Sequence, residues 1–202
     1  MRNQKLALLA VAVLMLTLAT GCAKPPQQEI DAVKASLSAI EADASKYAGD
    51  AWNKAQQAVN AVNAETEAQA NKFALFRSYT KSKELIAAAT AAVAEAKDAA
   101  AAAKEAAKNA ANETLAAAKA GLEAANTAFA ELEKCRRKPK DFKKDMEAMK
   151  GTYDGYAAQV AGIEGAIAAE DYLGAKAQAE SLKSSVDTLV TDLQGAKEKI
   201  KC

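Results

Sequence analysis

Three kinds of side chain in this 202-residue chain have the chemistry to form a site: three cysteines, some neighbouring acids and one basic block. Cys22, Cys135 and Cys202 stand far apart, so there is no CxxC spacing for redox or zinc chemistry. Histidine is absent, which removes the usual general base near neutral pH and the commonest metal ligand. Serines without a histidine cannot build a Ser-His-Asp arrangement, and no glycine-rich phosphate loop is present. Glu65/Glu67 and Glu170/Asp171 are of the right type for paired acid–base work. That work needs a cleft around the carboxylates, and on amphipathic helices such acids read as surface. The expectation is a non-enzyme with no metal and no cofactor. Residues 134–144, KCRRKPKDFKK, carry seven basic side chains against one acid, Asp141. Arg136, Arg137 and Lys138 are therefore the candidates for contact with phosphate groups of an envelope polymer or of lipid headgroups. The plainer reading is a solvated corner between helices, since cations also suit a helix C-terminus.

Cys22 has its own context. Arg2 and Lys5 precede an apolar run over residues 6–16, then Ala19, Thr20 and Gly21, then the cysteine. A charged start, a short apolar core and a small-residue end make a secretory signal over residues 1–21. The run is shorter than the roughly 20 residues a membrane-spanning helix needs. With the cysteine directly after Gly21, the segment resembles a bacterial lipoprotein signal, the lipobox, with Ala19 where that family usually has leucine. The resemblance implies cleavage before Cys22, a diacylglycerol on its thiol and acylation of its amine. Ala23 follows, not the aspartate that retains lipoproteins in the inner membrane, so the resemblance implies the outer membrane, facing the periplasm. The chain from Cys22 holds 25 basic side chains (27 less Arg2 and Lys5) against 26 acidic ones. A net charge near −1 gives no general attraction to nucleic acid.

The elements that must position these residues are helical. Alanine dominates, aromatics are 5% and prolines number three, a composition with high intrinsic helix propensity. No alternating apolar run reads as a strand. Residues 22–28 form a tether stiffened by Pro25 and Pro26. A first helix is expected over 27–48, with Ile30, Val33, Leu37, Ile40, Ala44 and Tyr47 in one stripe and Gly49 as its C-terminal cap. Asp50 would cap a second helix over 51–71, with Trp52, Ala55, Val59 and Val62 inward. A break near Asn71 is expected, with Phe73, Phe76 and Tyr79 closing that end of a bundle; an unbroken helix from 51 to 134 is the alternative. The third helix, 72–134, is the spine. Leu85, Ala89, Ala92, Ala96, Ala99, Ala103 and Ala106 step by four and three, a heptad-like seam. Pro139 ends that region. A fourth helix over 140–168 has Phe142, Met146, Met149, Tyr153, Tyr156, Val160, Ile163 and Ile167 in its stripe, and its glycines 151, 155, 162 and 165 are candidates for close helix contact. A turn at 169–171 leads to a fifth helix, 172–201, with Tyr172, Ala175, Ala179, Leu182, Val186, Leu189, Leu193 and Ile200 inward.

The expected class is all-α: an elongated, coiled-coil-like assembly of two three-helix bundles sharing one long alanine-rich central helix. The division is 1–21 signal, 22–28 tether, 29–103 N-terminal bundle and 104–202 C-terminal bundle. Cys135 opens the last hairpin and Cys202 closes it, so a disulfide between them is expected; an intermolecular bond or two free thiols are the alternatives. The alanine seam resembles that of the major outer-membrane lipoprotein of enteric bacteria, without the terminal lysine that links that protein to peptidoglycan. Residues 22–103 are similar to an uncharacterised family of helical bacterial lipoproteins, a likeness that brings no activity. The first functional expectation is a lipid-anchored spacer or scaffold, held to the membrane by its N-terminal lipid and making self-association or cell-wall contacts. The second is an adaptor that docks a periplasmic transport, secretion or cell-wall partner.

Overall fold

The computed structural model describes residues 24–201. It is an all-α bundle of five helices, with no strand among the described residues. They are α1 (Gln27–Tyr47), α2 (Gly49–Ala70), α3 (Thr80–Lys134), α4 (Phe142–Ala168) and α5 (Tyr172–Lys199). A short 3-10 turn, Ala74–Phe76, lies between α2 and α3. The chain divides into two compact units, residues 1–103 and 104–202, and α3 contributes to each.

In the first unit α1 starts directly behind Pro26. The carbonyls of Pro25 and Pro26 accept from the N–H groups of Gln27 and Ile30 at 2.8 and 3.1 Å. Proline suits this place because its missing N–H is one a helix start leaves unpaired anyway. Ala48 alone reverses the chain. At φ −139°, ψ 50° it leaves the helical region, while its N–H donates to Ala44 and its carbonyl accepts from Trp52, both at 2.9 Å. The expected glycine cap is thus corrected. Gly49 is the first residue of α2, no glycine among the described residues has a positive φ, and a Cβ at Gly49 would meet nothing within 4 Å. The turn needs only a negative-φ residue, which alanine supplies. Asp50 makes no capping hydrogen bond; it sits in the first turn, where a carboxylate favours the positive end of the helix dipole. The core joins Ile30 and Val33 of α1, Ala55, Val59 and Val62 of α2, and Ile86, Ala89, Ala92, Val93 and Ala96 of α3. Ala44, Trp52 and Ala100 make a satellite cluster.

The break near Asn71 is present, but α3 begins at Thr80 rather than at residue 72. Only Tyr79 of the three aromatics closes the bundle, 5% exposed; Phe73 and Phe76 are 69% and 74% exposed. Along α3 the buried positions are Ser82, Ile86, Ala89, Ala92, Val93, Ala96, Ala100, Ala107, Ala111, Leu115, Ala118, Leu122, Ala125, Phe129 and Leu132. From Ser82 to Ala100 and again from Ala111 to Leu132 they step by four and three, the heptad-like spacing, and the two successive steps of four at Ala107, Ala111 and Leu115 shift the register between these runs. Ala99 and Ala103 are half-buried and Ala106 is exposed, so the expected seam residues hold only to Ala96, beyond which the buried line passes to Ala100 and Ala107.

In the second unit α4 and α5 form a hairpin on residues 104–134 of α3. The hairpin turn is a Schellman arrangement. Glu170 adopts φ 59°; its N–H donates to Ile167 at 3.0 Å and that of Asp171 to Ala166 at 2.9 Å. The Lys104 ammonium is 2.8 Å from the Glu170 carboxylate. All eight inward positions expected on the last helix, from Tyr172 to Ile200, are buried. α4 is covered less fully, with only Met146 and Ile163 buried. Its glycines are not contact points: a Cβ at 151, 155, 162 or 165 would meet nothing within 4 Å. The close approach is instead at Gly121 of α3, where a Cβ would lie 2.8 Å from Val186 Cγ1.

Candidate functional site

The basic block occupies the connection between α3 and α4. α3 ends at Lys134, and Pro139 precedes the next helix, whose first turn starts at Phe142. Cys135 is drawn inward, 5% exposed, into a cluster with Leu132, Met146, Leu189, Leu193 and Ile200. Its sulfur is 3.3 Å from the Glu131 carbonyl oxygen. Arg136, Arg137 and Lys138 all remain exposed. The Lys138 ammonium is 5.8 Å from the centroid of the Phe142 ring, a cation–π distance.

Two acids of this end, Glu131 and Glu133, are committed to other lysines. Lys197 is 2.7 Å from Glu131, and Lys150 pairs with Glu133. The Lys197 ammonium holds the Glu131 carboxyl below the usual carboxylate range, and the Lys150 ammonium does the same for Glu133. Among the described residues, no carboxylate lies within ion-pair distance of Arg136 or Arg137. The geometry therefore offers two free guanidiniums and an ammonium to solvent, the forked donors that match carboxylate or phosphate oxygens. Among the described residues no cluster of acids or cysteines has metal-holding geometry. Comparison with protein-family models, with curated proteins and with solved structures returns no match.

The remaining residues singled out from the sequence are placed as follows. Cys22 and Cys202 lie outside the described residues. Residues 24–26 reach α1 against the C-terminal part of α2, where Pro25, Gln27 and Ile30 share a groove with Asn63, Thr66 and Ala70. Among the described residues, no helix is long and apolar enough to cross a membrane. Glu65 and Glu67 do not form an acid pair. Glu65 takes a hydrogen bond from Gln69 at 2.8 Å and an ion pair with Lys81 at 3.0 Å. Both partners lower its pKa, the Gln69 hydrogen bond foremost. Glu170 faces Lys104, and Asp171 opens α5.

Sequence reasoning missed two features. One is an apolar groove of about 730 Å³ in the first unit, between α1 and α3, lined by Val33, Ile40, Ile86 and Val93 with Glu29 and Lys97 at its edge. Alanine and serine opposite branched residues leave it unfilled, a volume mismatch that no periodicity reveals. The other is the outward-facing apolar tip at 73–76. Its signal was the pair of cations, Lys72 and Arg77, that brackets it.

Proposed function

We propose that this chain is a lipid-anchored envelope lipoprotein, tethered through acylated Cys22, whose helical units serve as a non-catalytic spacer or scaffold. The observation that carries the reading is the run from Arg2 to Cys22, a charged start, apolar core and small-residue end closed by a cysteine. Support comes from the junction: only residues 23–26 separate that cysteine from the first helical turn at Gln27. A short tether of this kind holds a folded unit close to the surface that carries it. The outer membrane, facing the periplasm, is the location implied by Ala23.

A Cys135–Cys202 disulfide belongs to the same reading. Ile200, two residues before Cys202, packs in the cluster that contains Cys135, and Lys197 reaches back to Glu131 at 2.7 Å. A bond there closes a loop of 66 residues, for which chain entropy alone gives about 4 kcal/mol. It suits an oxidising envelope compartment.

The test is mass spectrometry of the mature N-terminal peptide, together with crosslinking in living cells. Acyl chains on Cys22 and adducts to self or cell-wall fragments are expected. An unmodified cysteine sinks the anchor. A second reading, an adaptor that docks an acidic partner, is favoured by the unpaired Arg136 and Arg137. It requires one dominant foreign adduct, lost when Arg136, Arg137 and Lys138 are changed together to glutamate.

A further inference from the structure

The loop between α2 and α3 turns its apolar side chains outward. Four large hydrophobics are exposed among the described residues, and Phe73, Leu75 and Phe76 are three of them, each more than 60% exposed. A loop of this composition would ordinarily fold its aromatics into the bundle beside it. Here a polar clasp underneath holds the tip outward. The Gln69 side chain, 8% exposed, donates to Glu65 at 2.8 Å and accepts the Ser78 N–H at 3.2 Å. Glu65 then pairs with Lys81 at 3.0 Å, and the Arg77 Nε–H donates to the Lys72 carbonyl at 2.9 Å. The 3-10 turn closes with the Phe76 N–H on the Phe73 carbonyl at 2.9 Å. The two rings stand 6.4 Å apart, so the tip is a preformed apolar knob.

Two further observations say what covers it. The first is charge. Lys72 and Arg77 bracket the knob, and Lys24 is exposed at the start of the described chain. Cations around an inserted apolar tip suit a bilayer surface that carries anionic headgroups. The second is position within this unit. Pro25 and Gln27 lie against Asn63, Thr66 and Ala70 at the end of α2, the end from which the loop emerges. Pro25 stands three positions after Cys22, a reach of at most about 11 Å. An acyl chain on Cys22 therefore brings the membrane to the end of the unit that displays the knob.

We propose that Phe73, Leu75 and Phe76 form a second membrane contact, an apolar wedge that enters the headgroup–acyl boundary of an anionic bilayer beside the lipid on Cys22. This deepens the anchoring reading and rests on it for the location of the membrane. The lipid on Cys22 holds one point of the chain, and a fixed wedge adds a second contact that sets the orientation of the unit. Each side chain that enters fully strengthens partitioning by roughly tenfold or more.

The test uses the mature full chain with Phe76→Trp, reconstituted in vesicles of phosphatidylethanolamine and phosphatidylglycerol with brominated acyl chains. Phe76 is exposed, so the change leaves the fold intact, and the wild-type chain supplies the background from buried Trp52. The expected result is strong quenching of the introduced indole and a blue shift. Both should weaken in vesicles without phosphatidylglycerol. The mass of the N-terminal peptide is read on the same sample. Acylated Cys22 with an unquenched indole overturns the wedge and leaves the anchor standing. Unmodified Cys22 with a quenched indole removes the anchor and keeps the wedge; unmodified and unquenched overturns both. Loop-to-loop crosslinks that persist without vesicles, with no quenching when vesicles are added, assign the knob to a second copy of the chain and overturn the proposal.

Discussion

One chemical change, glycine to alanine, has opposite expected effects at two places in the second unit. In a helix interior the substitution gains about 1 kcal/mol of helix propensity. At Gly155 on α4 a Cβ meets nothing within 4 Å, so the gain is kept. At Gly121 on α3 the Cβ lies 2.8 Å from Val186 Cγ1 and 3.7 Å from its Cβ. The first distance is well inside the optimal 3.5–4.0 Å for carbon pairs. Val186 has no room to yield: it is fully buried in α5, and a β-branched side chain in a helix has one strongly preferred rotamer. Relief requires α3 and α5 to move apart, an overpacking cost of about 1–3 kcal/mol. Gly121→Ala is therefore expected to be neutral to about 2 kcal/mol destabilising, against about 1 kcal/mol of stabilisation for Gly155→Ala. Both sites belong to one unit, so urea unfolding followed by circular dichroism compares them in one transition. With a slope of about 1–3 kcal/mol per molar, the midpoints should separate by an amount on the order of 1 M. Equal stabilisation at both positions would refute the claim that α3 and α5 meet at Gly121.

Three further outcomes are expected. Leu132→Ala and Leu193→Ala, both fully buried at the closed end of the second unit, should each cost about 2–5 kcal/mol in the same assay. Gln69→Ala removes the acceptor of the Ser78 N–H and should raise amide exchange over residues 72–78, while the two helices that flank the loop stay protected. Glu131→Gln and Glu133→Gln should lower the unfolding midpoint at pH 7 and match the wild type in acid. Each folded carboxyl titrates below the ordinary 4.5, so the unfolded chain binds more protons through that interval. The stabilisation is then complete above pH 4.5 and lost as pH falls through the lowered value. Midpoints that differ equally at pH 7 and pH 3 would refute it.

Helix identity was legible wherever large apolar residues recur. The last helix shows it best, since every expected inward residue from Tyr172 to Ile200 is buried. The alanine middle of α3 was not legible in register. Ala99, Ala100, Ala103 and Ala106 are chemically identical, so only packing against the neighbouring helices selects Ala100. Capping misled in a similar way. Glycine at 49 looked like a stop, but the chain turns at Ala48 with an ordinary negative φ. The left-handed residues that do end helices are Glu170 and Lys201, whose side chains give no hint of it. At the basic block, the exposure of Arg136 and Arg137 follows from charge alone. The engagement of Glu131 and Glu133 with Lys197 and Lys150, which leaves those arginines unpaired, spans helices and could not be read along the chain. The outward Phe73 and Phe76 were unreadable for a related reason: the Gln69 clasp that props them out reaches nine residues to Ser78.

The economy of the two hairpin joints has a kinetic side. α1 and α2 meet through Ala48 alone, and α4 and α5 through residues 169–171. Most partners in each pair are near neighbours in sequence, and chains of such low contact order fold in microseconds to milliseconds. The two halves nonetheless finish differently. The first hairpin forms from residues already synthesised and waits for Ile86 to Ala96 to arrive behind it. The second unit cannot bury Leu122 or Phe129 until α5 delivers Leu182 to Leu193, so its core stays incomplete until the chain has been made past residue 193. A clipped or prematurely ended chain would keep the first fold and leave the second open, its alanine-lined seam bare to whatever protease or chaperone meets it.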